Sequence, residues 1–132
     1  MGHLPLFLYQ LFLFGILLRC GRPDQEMDLA ISGFTEAKLR YGIEKSDPQY
    51  RAQNELARAL AIAPFHVVYH DQSISEAYGK IKAHLVSNKI YVPRNEIDIF
   101  ISATAMAKKL VLVTSNTRNF SLIPGLTLEN WS

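Results

Sequence analysis

Residues 110–113, with the sequence Leu-Val-Leu-Val, form an uninterrupted apolar run that follows two lysines. A run without polar alternation is typical of a strand that is buried on both faces of a parallel sheet. Such a sheet needs helices on both faces, and the rest of the chain has to supply them. The chain has 132 residues, which is enough for one domain of this kind and too few for two. The sequence therefore predicts a single α/β domain.

Strand and helix patterns alternate along the chain from residue 29 onward. The predicted strands cover residues 29–32, 65–69, 110–113 and 126–128. Helices are predicted over residues 35–45, from the Asp47-Pro48 cap to Pro64, from a capping box at Ser73 and Glu76 through Leu85, and from a cap at Asn95 to Lys109. This alternation predicts a parallel sheet with its site at the carboxyl ends of the strands. The loop of residues 114–116, which follows the most buried strand, is therefore the best-placed loop for chemistry.

The composition excludes several classes of protein. Hydrophobic residues make up 48% of the chain and charged residues 20%, which excludes a disordered chain. The single cysteine, Cys20, excludes a disulfide scaffold and is expected to be a buried, unreactive thiol. The net charge of +2 does not by itself predict nucleic-acid binding. Because the sequence also has no glycine-rich phosphate loop, no G-x-S-x-G motif and no zinc-spaced Cys/His cluster, a metal site built from oxygen ligands is the chemistry that remains.

The first eighteen residues contain no Lys, Arg, Asp or Glu. As a helix, the apolar stretch from Leu4 to Leu18 spans about 22 Å, which is short for a bilayer core of about 30 Å but suits the core of a signal peptide. The alternative is a strand and a helix in the core of the domain. On the sequence alone both interpretations stay open, and so does a third, in which the segment carries no information about function.

Two acidic residues near predicted helix starts are candidate metal ligands. Hard cations such as Mg²⁺ bind carboxylates, waters and substrate phosphates, and the bound metal polarises the phosphate. Asp98 is the stronger candidate because it lies one turn into an otherwise apolar helix. Glu36 lies in the first turn of the helix predicted from Thr35. Either carboxylate also stabilises a helix terminus by about 0.3–1 kcal/mol, which is the alternative role for both.

Several separate segments of residues 29–131 resemble one family, the VapC toxins, which are PIN-domain ribonucleases. These segments are Ile31-Ser-Gly-Phe-Thr35, Leu39-Arg-Tyr-Gly-Ile-Glu-Lys-Ser46, Asp98-Ile-Phe-Ile-Ser-Ala-Thr-Ala105, Leu112-Val-Thr-Ser-Asn-Thr-Arg-Asn-Phe120 and the ending from Ile123 to Trp131. They occur in the family's order and at near-constant spacing. The resemblance is specific because the segments agree independently of one another.

The resemblance implies a PIN-like three-layer α/β/α sandwich around a short, mainly parallel sheet. Residues 1–132 are then one PIN-like domain, in which residues 1–28 are atypical and residues 29–131 match the family. The implied activity is Mg²⁺- or Mn²⁺-dependent cleavage of RNA by the toxin of a type II toxin–antitoxin pair. A VapB-like antitoxin, an RNA substrate and a second copy of the chain in a homodimer are the implied partners. The implied location is the cytoplasm, without membrane association.

Carried over by position, the resemblance makes Asp98 a catalytic metal ligand and places Asn116 where the family has a further acidic or polar residue. Lys38, however, stands where the family has a glutamate, and Gln10 falls at the position of its first aspartate. Glu36 is two residues from Lys38, about 200° around a helix, so it does not simply replace that glutamate. A lysine repels Mg²⁺, and the missing carboxylates remove much of the attraction for it. We therefore expect weak Mg²⁺ binding and little or no RNA cleavage.

Two alternatives follow from these departures. The first is a non-catalytic PIN-like protein that still binds partners but has a broken metal site. The second is a small exported or membrane-anchored protein, if residues 1–20 are a targeting segment.

Overall fold

A computed structural model describes residues 17–20 and 28–130 of the chain. Within these ranges the structure forms a single sheet of five strands. The strands are β1 Leu17–Cys20, β2 Asp28–Ser32, β3 His66–Val68, β4 Val111–Val113 and β5 Leu128–Glu129. Their order across the sheet is β3-β2-β1-β4-β5. The four strands expected from the sequence are present, and the last begins two residues later than predicted.

Strand direction separates β1 from the other strands. The pairs β2–β3 and β4–β5 are parallel, whereas β1 is antiparallel to both of its neighbours. In the centre of the sheet Leu18 pairs with Ala30 on one side and with Leu112 on the other. The expected α/β architecture with a short, mainly parallel sheet is therefore confirmed, with one reversed strand at its centre.

Five α-helices connect the described strands. They are α1 Gly33–Glu44, α2 Arg51–Ile62, α3 Gln72–Ser87, α4 Glu96–Ala107 and α5 Thr117–Phe120. Short 3-10 turns, Pro48–Tyr50 and Pro93–Asn95, precede α2 and α4. None of the described helices is both long and apolar enough to cross a membrane.

Two predicted helix caps are wrong. Helix α3 is capped by Asp71, whose Oδ1 accepts a hydrogen bond from the backbone N–H of Ile74 at 3.1 Å. Ser73, the predicted cap, instead donates its hydroxyl to the same carboxylate at 2.7 Å. An aspartate caps a helix as well as a serine does, and this one comes two residues earlier. Asn95 directly precedes α4, but its side chain makes no capping hydrogen bond because the 3-10 turn leads into the helix.

The main core lies between one face of the sheet and the helices α3, α4 and α5. Ile74, Ile81 and Leu85 belong to it, which confirms that the apolar stripe predicted on α3 is a core face. The remaining buried members of this core are Leu18, Ala30, Ile99, Ile101, Ala103, Ala105, Leu112, Phe120 and Ile123. A smaller apolar cluster includes Leu17 and Val113.

Strand β1 also carries a buried charge. Arg19 is 5% exposed, and its Nε lies 3.0 Å from both carboxylate oxygens of Glu129 in β5. Leu17 and Leu18, which end the charge-free segment, are core residues. The other sixteen residues of that segment, with Gln10 among them, lie outside the described residues, and so does most of the proposed targeting segment.

The central position of β1 predicts the effect of shortening Leu18, which is fully buried. We expect Leu18→Ala to lower the free energy of unfolding by about 2–5 kcal/mol because it leaves a cavity at the centre of the sheet. The matched control is Leu60→Ala on α2, where the leucine is 67% exposed, and we expect a change below about 0.5 kcal/mol. Urea denaturation measures both variants. Equal effects would contradict the central placement of β1.

Candidate active site

Helix α1 leaves the sheet directly at the end of β2. Ser32, the last residue of that strand, accepts a hydrogen bond from the backbone N–H of Thr35 at 3.1 Å. The two hydroxyl oxygens lie 3.3 Å apart, and both side chains are buried. The helix therefore begins two residues before the start predicted at Thr35. This cap fixes where α1 begins and therefore which of its side chains face α4.

Helices α1 and α4 pack together through aromatic rings. Phe34 stacks on Phe100 with the ring centroids 4.4 Å apart, and Phe100 stacks in turn on Tyr78 of α3 at 4.1 Å. Asp98 lies in the first turn of α4, just before Phe100, and is half-buried. The packing thus brings the helix that carries the strongest candidate residue against α1.

The charge on Asp98 meets two opposing influences. Burial raises the pKa of its carboxyl, because a desolvated carboxylate is less stable than a hydrated one. The positive charge of Lys38 on α1 acts in the opposite direction and lowers that pKa. The net pKa of Asp98 is above its ordinary value. The charge of Lys38 therefore acts on Asp98 from the neighbouring helix α1.

Glu36 lies on the other side of α1 and is held by two donors. Arg40 donates to its Oε1 at 2.7 Å, and the hydroxyl of Tyr69 donates to its Oε2 at 2.7 Å. The ring of Tyr69 reaches this position across Gly33, where a Cβ would lie 3.1 Å from the ring. These contacts, the Tyr69 hydrogen bond first, lower the pKa of Glu36. Both oxygens of this carboxylate are therefore engaged away from Asp98.

Glu96 is a third carboxylate near the site, and it too is engaged. The hydroxyl of Tyr78 donates to its Oε1, and that of Tyr91 donates to its Oε2 at 2.8 Å. Lys82 lies 3.3 Å from the same Oε1. These hydrogen bonds lower the pKa of Glu96. Glu96 therefore ties α3 to the start of α4 and leaves Asp98 as the carboxylate with no such donors.

Asn116 follows β4 at the same edge of the sheet. Its backbone N–H donates to Oγ1 of Thr114 at 2.9 Å, and its side chain, which is exposed, makes no capping hydrogen bond to α5. A different pair of amides, Asn95 and Asn119, lines a small cleft together with Asp98. Sequence reasoning missed Asn119, although it lies on α5 only three residues after Asn116.

The central strand supplies no acidic residue at this edge. Leu17, where β1 begins, pairs with Val113 beside the carboxyl end of β4, and residues 1–16 contain no Asp or Glu. Asp28 pairs with Cys20 at the opposite edge. In the part of the chain that the structure describes, no group of three His, Cys, Asp or Glu side chains is placed to hold a metal ion. Because Mg²⁺ prefers several oxygen ligands, these residues do not fit a Mg²⁺ centre.

The opposite pKa shifts of Asp98 and Glu36 predict opposite effects of neutralising them. Because the pKa of Asp98 is raised in the folded state, its contribution to the free energy of unfolding is present below its unfolded pKa of about 3.9. That contribution is lost as the pH rises through the folded pKa. We therefore expect Asp98→Asn to raise the free energy of unfolding at pH 7 and to have little effect in acid.

The lowered pKa of Glu36 has the reverse sign, because its contribution is present above its unfolded pKa and is lost as the pH falls. Glu36→Gln should therefore lower the free energy of unfolding at pH 7 by about 1–2 kcal/mol, and the loss should shrink in acid. Urea titrations of both variants between pH 3 and pH 8 provide the measurement. Destabilisation of both at pH 7 would show that Asp98 is not in a desolvated position.

Comparison with known proteins gives one consistent family. Residues 23–126 match the family model described as PIN domain. The chain is 30% identical to Ribonuclease VapC2 of Rickettsia felis over 103 residues, which are 78% of this chain and 74% of that protein. It is 32% identical over 104 residues to the tRNA(fMet)-specific endonuclease VapC of Shigella flexneri, covering 79% of this chain and 76% of the relative.

Solved structures agree with these relatives. The structure of VapBC2 from Rickettsia felis bound to a DNA fragment from its promoter superposes with a TM-score of 0.70 at 29% identity, over 78% of this chain and 74% of that chain. VapBC-1 from nontypeable Haemophilus influenzae gives a TM-score of 0.72 at 26% identity, over 84% of this chain and 78% of the other. The chain therefore belongs to the PIN-domain family and, within it, to the ribonucleases named VapC.

Proposed function

We propose that this chain is the toxin component of a type II toxin–antitoxin pair and acts on RNA. The observation that carries the proposal is the match to VapC ribonucleases over about four-fifths of the chain, a match whose family model spans Asp98. Asp98 lies on a helix beside the carboxyl-end edge of the sheet, where α/β folds place their sites. We assign Asp98 and Asn116 to the RNA site and treat Glu36 as a structural residue.

The proposed partners follow from the similar solved structures. Those structures are complexes named VapBC, and the one from Rickettsia felis is bound to DNA. We propose a VapB-like antitoxin as the protein partner of this chain, together with self-association as a homodimer. Helix α2 has no buried residue and exposes Leu56 and Leu60, which is typical of a surface that a partner covers. The cytoplasm is the proposed location, since RNA and an antitoxin are there.

The divalent metal is the feature of the family that the described residues of this chain support least. PIN-domain nucleases generally depend on divalent metals, and the family resemblance predicts Mg²⁺ or Mn²⁺ with Asp98 as a ligand. A carboxylate attracts a unit positive charge 4 Å away by about 4 kcal/mol at an effective dielectric constant near 20. A site with one available carboxylate therefore binds a cation weakly. We therefore propose that cleavage by this chain is strongly reduced.

A second candidate function is a non-catalytic member of the family that binds RNA or an antitoxin without cutting. The lysine that faces Asp98 favours it, because a divalent cation bound there would meet a positive charge. The two candidates share their partners and differ only in cleavage.

A cleavage assay with labelled RNA distinguishes them. With MgCl₂ the first candidate predicts slow cleavage that Asp98→Asn abolishes, whereas the second predicts no cleavage above a protein-free background by either protein. A carboxylate that takes part in the reaction contributes about 100-fold or more, so its loss is readily seen. Complex formation with a co-expressed VapB-type antitoxin serves as the control for an intact scaffold. Fast, EDTA-sensitive cleavage that disappears in Asp98→Asn would show full catalytic competence and refute the reduced activity.

A further inference from the structure

The side chains of α1 divide into two groups at the candidate site. Phe34 stacks on Phe100 of α4, and Lys38 follows Phe34 by four residues, so the two project from the same face of α1. Glu36, halfway between them, points to Arg40 and Tyr69 on the other side. The face that α1 turns toward α4 therefore carries a lysine, and the charge of this lysine acts on Asp98 in the first turn of α4.

We propose that Lys38 supplies the positive charge of this site from within the chain, so that the site takes an RNA phosphodiester without a divalent metal. The proposal deepens the assignment of RNA as the ligand and rests on that assignment. It gives Lys38 the role of the cation.

The state of Lys38 suits this role. Its side chain is exposed, and it belongs to none of the ion pairs formed within residues 17–20 and 28–130. Its ammonium is therefore free to meet a phosphate as a point charge, which is how lysines bind phosphate in proteins. By contrast, Arg40 is already paired with Glu36.

The surrounding carboxylates support the same conclusion. Glu36 and Glu96 are each held by two or more donors, and the residues that precede β1 contain no acid. One desolvated carboxylate next to a lysine has a net charge near zero, whereas a divalent cation is stabilised by several negative ligands. An anionic phosphodiester does not need several negative ligands, so the near-zero net charge does not oppose its binding.

The first test measures Mn²⁺ binding by the loss of the free-ion signal in electron paramagnetic resonance. We expect no saturable binding to the wild-type chain. Lys38→Glu adds a second carboxylate near Asp98 and should give saturable Mn²⁺ binding that the wild-type chain lacks. Lys38→Gln is the control for loss of the lysine alone, and Lys38→Glu combined with Asp98→Asn should lose the binding again. Saturable Mn²⁺ binding to the wild-type chain that Asp98→Asn abolishes would overturn the proposal.

The second test measures binding of a fluorescein-labelled RNA oligonucleotide by anisotropy at several salt concentrations. We expect the wild-type affinity to be equal in EDTA and in MgCl₂. Lys38→Gln should weaken binding and reduce the slope of log affinity against log salt by about 0.7, the value for one contact to a single strand. Lys80→Gln, which removes an exposed lysine from α3, should preserve EDTA-insensitive binding.

Two results of the second test would also refute the proposal. One is wild-type binding that disappears in EDTA, and the other is Lys38→Gln binding RNA as tightly as the wild-type chain does. A failure of the toxin assignment has a separate signature, since the chain would then form no complex with a co-expressed VapB-type antitoxin, whatever its response to Mn²⁺.

Discussion

The described sheet depends on the pairing of one short strand with both of its neighbours. β1 joins the parallel pair β2–β3 to the parallel pair β4–β5, and no other described strand connects the two pairs. Leu18 lies at the centre of this arrangement, fully buried between Ala30 and Leu112. Because Leu18 of β1 is also part of the main core, the helices on that face of the sheet depend on the same strand.

The direction of β1 links the fold to the chemistry of the site. The strand begins, rather than ends, at the edge where β2 and β4 end, so the side that faces the site is apolar. In the RNA site that we propose, Asp98 is the carboxylate, and the charge of Lys38 acts on it from α1. The fold of a nuclease family is thus retained, whereas the charge of the proposed site differs from that of a metal centre.

Sequence reasoning predicted what depends on local pattern. The alternation of strands and helices, the buried stripe of α3 and the position of Asp98 in the first turn of α4 all followed from the local sequence pattern, although neither Ser73 nor Asn95 caps its helix as predicted. Strand direction did not follow from the sequence, because an apolar run such as that of β1 has the same pattern in either direction. The hydrogen bond from Tyr69 to Glu36 could not be predicted from the sequence either, because Tyr69 is 33 residues away and contacts Glu36 only through the packing of α1. The cap at Asp71 was missed because Ser73 has the same local signature.

The ion pair between Arg19 and Glu129 joins residues 110 positions apart. These two residues are therefore synthesised 110 positions apart, and loop closure over such a distance comes late in folding. Until β5 leaves the ribosome, the buried guanidinium in the central strand lacks this carboxylate. The described sheet can be completed only after β5 has been translated, so β5 decides when β1 gains its ion pair.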